Sequence, residues 1–216
     1  MSAFLPKIGL TTAFTIWKPK EGHTADEVLE MQLKHRGNIL QIKELIAFAA
    51  LKSVDGTKAG GYSLLTEGAE LHNVLATAPA TAPLGEIQSI AELATHQFEL
   101  LDSVLTEGAT LEISKGQVLS VVMFTTPDAV KQAKAAYLIG EYLKTAFQGM
   151  SGVKAGSLLK SVDGTKIAVL GYWESLQIVL AQKDHQDEWA SLTTHLADVV
   201  IGFEKELLIV VELITA

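Results

Sequence analysis

The chain has 216 residues, of which 48% are hydrophobic and 19% charged, with a net charge of −8 and a pI of about 5.2. That balance supports a sizeable core in one large or two small domains and excludes a disordered chain. The acidic charge argues against nucleic-acid and anionic-membrane surfaces as partners, and Arg36, the single arginine, cannot form an arginine clamp for phosphates.

The sequence contains no cysteine. This excludes disulfides, thiolate nucleophiles, iron–sulfur clusters and thiolate zinc sites, and fits a cytoplasmic setting. The first residues lack a basic region followed by an apolar run, so no signal peptide is expected. No apolar stretch reaches the length of a membrane span.

In chain order, Ile8–Ile16 reads as a strand. Thr24 and Glu27 have the capping-box spacing and open a helix expected to run to about Leu45. Strands Ile46–Val54 and Lys58–Leu65 follow, joined at Asp55-Gly56, the residue pair that a two-residue type I′ hairpin favours. Helical pieces are expected at Glu67–Ala76 and Leu84–Ala94, with the proline-containing Thr77–Pro83 as a breaker between them. A strand begins near Phe98, and Thr106–Ala109 and Lys115-Gly116 are candidate linkers.

The order then starts again. Val118–Thr125 reads as a strand, and Thr126-Pro127-Asp128 as an N-cap, a proline at the first helical position and an acid in the first turn. The helix that follows runs through Phe147, with Val130, Ala133, Tyr137, Gly140, Tyr142 and Leu143 on roughly one side. Strands Val153–Ser161 and Lys166–Trp173 form a second hairpin at Asp163-Gly164. A helix from Glu174, interrupted near Lys183-Asp184 and resumed through His195, leads to a last strand, Phe203–Ile214.

The segment Leu51-Lys-Ser-Val-Asp-Gly-Thr-Lys58 recurs letter for letter as Leu159–Lys166, at an offset of 108, half the chain. Self-similarity at this offset points to a tandem duplication, with units 1–108 and 109–216. The expected fold is α+β: two ferredoxin-like β-α-β-β-α-β units whose four-stranded sheets pack by their apolar faces into a barrel with helices outside.

Ser161-Val-Asp-Gly-Thr165 followed by Gly171-Tyr-Trp-Glu-Ser175 resembles the antibiotic biosynthesis monooxygenase family of dimeric α/β barrels. The resemblance covers about a hundred residues of the second half. It is weaker in the first half, where Leu65-Thr66-Glu67 stands in place of Trp173-Glu174-Ser175. It implies a barrel that family members usually complete by dimerisation, and here either a monomeric pseudo-dimer or a homodimer. It also implies an activity among cofactor-free oxygenases of phenolic polyketides, heme-degrading monooxygenases and proteins of other roles, because a shared fold does not fix the chemistry.

The leading functional expectation is a cofactor-independent oxygenase acting on an aromatic or polyketide-like molecule held in an apolar pocket. His185 and His195 are its candidate general bases. Tyr172, Trp173, Trp189 and Tyr62 are its candidate substrate-binding residues. Each has a plainer reading: Trp173 as a packing anchor between strand and helix, the histidines as ordinary helix-surface residues. Tyr172 and Trp173 alternate along a strand, so at most one faces a given cavity. His35 and Arg36 are expected on a solvated helix face.

No cofactor is expected. The histidines form no HxH, HxxxH or HExxH pattern, and no phosphate-binding glycine loop or GxSxG elbow occurs. The heme-degrading branch is disfavoured, because no asparagine stands in Ile8–Ile16 or Val118–Thr125, and no histidine lies ten residues after Trp17, Trp173 or Trp189. Heme through His185 is the minor alternative. The second class of function is a non-catalytic ligand- or partner-binding protein. The degenerate Leu65-Thr66-Glu67 marks the first half as the one expected to be purely structural.

Overall fold

The computed structural model describes residues 6–181 and 192–215. Along them run β1 (Thr11–Pro19), α1 (Ala25–Lys34), α2 (Arg36–Ile39), β2 (Leu45–Ser53), β3 (Ala59–Leu65), α3 (Leu71–Leu75), α4 (Ala78–Ile90), β4 (Ala91–Leu105), β5 (Val118–Thr125), α5 (Ala129–Gly149), β6 (Val153–Ser161), β7 (Lys166–Trp173), α6 (Leu176–Ala181) and β8 (Gly202–Thr215). The protein is α+β, and its chain divides into two compact units. The first takes the chain up to Phe98 together with Glu112–Gly116 and the part of β8 from Leu208; the second takes Glu99–Leu111 and Gln117–Leu207.

In the first unit β3 lies between β1 and β2, antiparallel to both, and the end of β8 pairs with the free edge of β2 from Ser53↔Leu208 to Ala47↔Thr215. A bulge between Leu45 and Ala47 puts one extra residue into β2. As a result Leu45 and Phe48, three apart, share a face with their partners Leu65 and Ser63. This face carries the helices. Ala13, Leu45 and Leu65 pack on Leu71 and Val74 of α3, and Trp17 and Ala59 pack on Ala25 and Val28 of α1 and Ile87 of α4. On the opposite face Phe14 stacks on Tyr62 with centroids 4.4 Å apart and meets the edge of Phe98.

The capping box of α1 forms as its spacing predicts: Thr24 Oγ1 accepts from Glu27 N–H and Glu27 accepts from Thr24 N–H. The helix stops at His35, well short of Leu45, and a separate short turn spans Arg36–Ile39. Gly37 and Asn38, poor helix formers, sit where the continuous helix is expected. The opposite correction applies to Thr77–Pro83, which is not a breaker. Thr77 is the N-cap of α4 and Ala78–Pro83 its first half, with Pro79 in the opening turn, where its missing N–H costs nothing, and Pro83 inside the helix. Burial of Ala80, Pro83 and Ile87 offsets the hydrogen bond lost at Pro83.

In the second unit β7 lies between β5 and β6, again antiparallel to both, with a bulge between Val153 and Ala155. Asp128 caps α5 by accepting from Lys131 N–H, so the cap lies two residues after Thr126. The buried side of α5 is Gln132, Ala135, Ile139, Leu143, Ala146 and Phe147, whereas Val130 and Tyr137 are exposed. The expected face is therefore right at Gly140 and Leu143, where Gly140 lies close to Leu158, and wrong at Val130, Ala133 and Tyr137. Tyr137 is aromatic, but the 3–4 spacing that runs through Ala135, Ile139 and Leu143 rules which side is covered.

The repeated octapeptide builds the same turn twice. Ser53 Oγ donates to Asp55 Oδ1 at 2.6 Å, Thr57 donates to it through N–H at 3.0 Å and Oγ1 at 2.8 Å, and Lys58 N–H donates to Ser53 Oγ at 2.8 Å. Ser161, Asp163, Thr165 and Lys166 reproduce these four distances. The type I′ turn is not what forms. Positive φ occurs only at the glycines, +73° at Gly56 and +78° at Gly164. Gly56 N–H donates to Ser53 C=O, which makes a turn over Ser53–Gly56 with glycine supplying the left-handed residue at its end. The aspartate is thus a hydrogen-bond acceptor on the turn, not a left-handed residue.

These donors, Ser53 first and then the Thr57 backbone, hold the Asp55 carboxyl at about 2, below its ordinary 3.8. A depressed carboxyl stabilises the fold above its unfolded value and loses that contribution as pH falls through the folded one. Asp55→Asn is therefore expected to lower the urea midpoint at pH 5, with the difference from wild type closing between pH 4 and pH 2. Urea titrations across that range check it; a difference that does not change with pH would show that the charge contributes nothing.

Candidate functional site

Between the helix-bearing face of the first unit's sheet and its helices lies a cleft with a cavity volume of about 100 Å³, within a total void, mouth included, of about 700 Å³. Its floor is Thr15 and Trp17 of β1, Leu45 and Phe48 of β2, and Ser63 and Leu65 of β3. Its roof is Gln32 of α1, Ile39 and Ile42 around the end of α2, Leu71, Val74 and Leu75 of α3, and Pro79, Ala80, Pro83, Leu84 and Ile87 of α4. Apart from Thr15, Ser63 and Gln32 the lining is aliphatic and aromatic, and it carries no ionisable side chain.

Two local devices keep this space open. An ideal Cβ on Gly61 would lie 2.5 Å from Cε2 of Phe48, so the ring lies against bare backbone of β3, and any larger residue there would push it away. In the second unit Gly156 receives the ring of Phe147 in the same manner, with an ideal Cβ 2.7 Å from it. The second device is polar. Gln32 is buried at 4% exposure. With its carboxamide oriented to satisfy both ends, its oxygen accepts from Trp17 Nε1 at 2.9 Å and its nitrogen donates to Gly60 C=O at 3.3 Å. One side chain of α1 thereby ties β1 to β3 at the wall of the cleft.

The helices of the roof are joined at their outer side by charge. Glu86 of α4 accepts from Lys34 Nζ and pairs with His35 Nε2, each at 3.0 Å. The lysine first, then the histidine, hold the Glu86 carboxyl below the usual carboxylate range. His35 is buried at this junction instead of lying on a solvated face. The break between α1 and α2, unseen in the sequence, turns it inward.

Among the described residues, the candidates of the second half do not line this cleft. Trp173 is buried and donates from Nε1 to Ser120 Oγ at 2.8 Å. Tyr172, on the opposite face of β7, is buried with its hydroxyl 3.3 Å from Ser157 Oγ. Tyr62 is buried against Phe14, on the face of β3 away from the cleft. His195 is exposed in the helical stretch 192–196. His185 and Trp189 lie outside the described residues. A smaller void in the second unit, lined by residues including Asp102, Gly140, Leu143 and Gly156, has no room for a water-sized molecule. An open cleft thus lies in the half expected to be purely structural.

Sequence reasoning missed Trp17 and Gln32. The signal for Gln32 was present: Ala25, Val28, Leu29 and Gln32 form the buried stripe of α1, and an amide in an otherwise apolar stripe calls for a partner. Among the described residues, no group of three histidine, aspartate or glutamate side chains could hold a metal ion, and no helix is long and apolar enough to cross a membrane.

Comparison with known proteins places this geometry. A domain family of unknown function (DUF7392) matches residues 106–203. No curated protein matches. Among solved structures, an anthrone oxidase-like protein is similar over all of this chain and 97% of its own, with a TM-score of 0.80 at 14% identity. A candidate monooxygenase from Fusobacterium nucleatum is similar over 96% of this chain and 95% of its own, with a TM-score of 0.67 at 12% identity. A ferredoxin-fold protein of Listeria monocytogenes related to antibiotic biosynthesis monooxygenases reaches 0.53 at 12% identity, over 94% and 96%. The fold is one that monooxygenase-like proteins share.

Replacing Gln32 by leucine keeps the volume but strands the indole N–H of Trp17 and the Gly60 carbonyl. The expected loss is about 1–3 kcal/mol for the buried unpaired groups. Urea unfolding of Gln32→Leu against wild type measures it; an unchanged midpoint would show that the amide tie contributes nothing.

Proposed function

We propose that the first unit binds a compact apolar molecule of aromatic type between its sheet and its helices. The lining of the cleft carries this reading. Leucine, isoleucine, proline and Phe48 make up most of it, with a few polar atoms at one wall, the arrangement typical of small-molecule sites. Because the lining has no charge, the ligand is held by burial and shape, and entry of an ion would be costly.

The second reading is that the bound molecule is oxygenated there without a cofactor. It is supported by the likeness of fold, over the whole chain, to an anthrone oxidase-like protein. In that reaction the substrate would supply the electrons, and the protein would orient and desolvate it. The lining offers no carboxylate, imidazole or amine as a base. A substrate acidic enough to give its proton to water at the mouth of the cleft fits this reading best. Heme finds no support in the cleft, whose lining contains no histidine.

Val74 faces the cleft from α3. Val74→Phe is expected to fill it, leaving the thermal midpoint within a few degrees of wild type while abolishing saturable binding of toluene. Calorimetric titration of both proteins tests the binding. An oxygen electrode with electron-rich phenols tests the chemistry: saturable uptake lost in Val74→Phe supports oxygenation, binding without uptake supports a carrier, and absence of binding in wild type removes both readings.

A further inference from the structure

Two atoms of the cleft remain unused by the fold. Thr15 of β1 and Ser63 of β3 both line it, and among the described residues neither hydroxyl makes a hydrogen bond. By contrast, Thr12 bonds to the Phe98 carbonyl, Ser120 to Trp173 and Ser157 to Tyr172. The register pairs Ala13 with Ser63 and Thr15 with Gly61, so Thr15 and Ser63 are diagonal neighbours on one face of adjoining strands. Such neighbours lie about 7–8 Å apart, too far to satisfy one another. Gly61 has no side chain to intervene between them, and the Phe48 ring covers it.

A half-buried hydroxyl in an apolar wall is costly unless something bonds to it. Two of them on the floor, with Gln32 already committed to Trp17 and Gly60, make a polar spot under an otherwise apolar roof. We propose that Thr15 and Ser63 are specificity-determining residues that bind the hydroxyl or carbonyl oxygen of a neutral, single-ring ligand. This deepens the binding reading above and rests on it.

The three parts of that description have separate grounds. Hydroxyls both donate and accept, so they suit a phenolic hydroxyl or a ring carbonyl equally. The lining bears no charge to balance an anion or cation. The cavity volume of about 100 Å³ is below the roughly 150 Å³ of an engineered apolar cavity that holds benzene. One ring, partly in the mouth, fits; the fused rings of a polyketide do not fit without movement of the roof.

Toluene, p-cresol and benzoate, titrated calorimetrically into the full chain and followed by amide chemical shifts of β1, β3 and α3, form the test. p-Cresol is expected to bind about tenfold more tightly than toluene, the size of one net hydrogen bond, and benzoate not at all. In Thr15→Val, and separately in Ser63→Ala, that preference should fall to about threefold or less while toluene binding is kept. Thr15→Ser should restore it. If toluene binds but p-cresol gains nothing, or both variants keep the tenfold preference, the polar spot is not a recognition element, and the apolar cleft still stands. If benzoate binds as tightly as p-cresol, the neutral-ligand assignment is wrong. If no probe shifts the amides of the first unit, the binding reading fails and this assignment falls with it. Toluene binding by each variant shows that it is folded.

Discussion

The first unit depends on a spacing problem between a sheet and the helices laid over it. Strands carrying Trp17 and Phe48 on one face would normally fill all the space beneath α1 and α4. Two constraints prevent that. Gly61 lets the Phe48 ring lie on the backbone of β3, and Gln32 fixes the indole of Trp17 to one side by taking its N–H. With both large rings held against the walls, the aliphatic residues of α3 and α4 meet across a gap. The bulge in β2 completes this, because without the extra residue Leu45 and Phe48 would fall on opposite faces.

The same constraints have counterparts in the second unit, with different residues in the roles. The bulge recurs between Val153 and Ala155, the glycine beneath an aromatic ring is Gly156 under Phe147, and the buried indole N–H is that of Trp173, satisfied by Ser120. The ring comes from a helix in one case and a strand in the other. In the second unit the glycine–phenylalanine contact brings α5 down onto β6, where the adjoining void has no room for a water-sized molecule. In the first unit it keeps a ring flat and the cleft open.

Most strands were legible because their signals are local; β4, which begins at Ala91 inside the helix expected at Leu84–Ala94, was not. Val118–Thr125, Val153–Ser161 and Lys166–Trp173 coincide with β5, β6 and β7, and the capping box of α1 could be read from two residues. What was not legible depends on contacts distant in sequence. Pro83 sits within α4 because the core packed on that helix outweighs one missing hydrogen bond, and local propensity cannot report a core. The turn shows a subtler failure. Asp-Gly suggested two left-handed residues, but Ser53 and Thr57 place three donors around Asp55 and make an acceptor of it. The eight-letter repeat itself held the answer, since it includes the serine and the threonine as well as the Asp-Gly.

The site was harder to read for a related reason. Sequence inspection favours residues that can do chemistry, so it selected histidines, tyrosines and the tryptophan of a family-like motif. The open space in the first unit is bounded instead by leucines, prolines and alanines, whose individual positions carry no chemical signal. Its polar atoms belong to Thr15, Ser63, Gln32 and Trp17, types common on any strand or helix. A cleft of this kind can orient and dehydrate a molecule but has little means of moving its protons. On the oxygenation reading proposed above, the substrate would have to be already reactive, and the cleft would contribute selection more than acceleration by side chains. The structures compared share this fold at 14% identity or less, and a shared fold leaves the chemistry to the particular side chains placed on it.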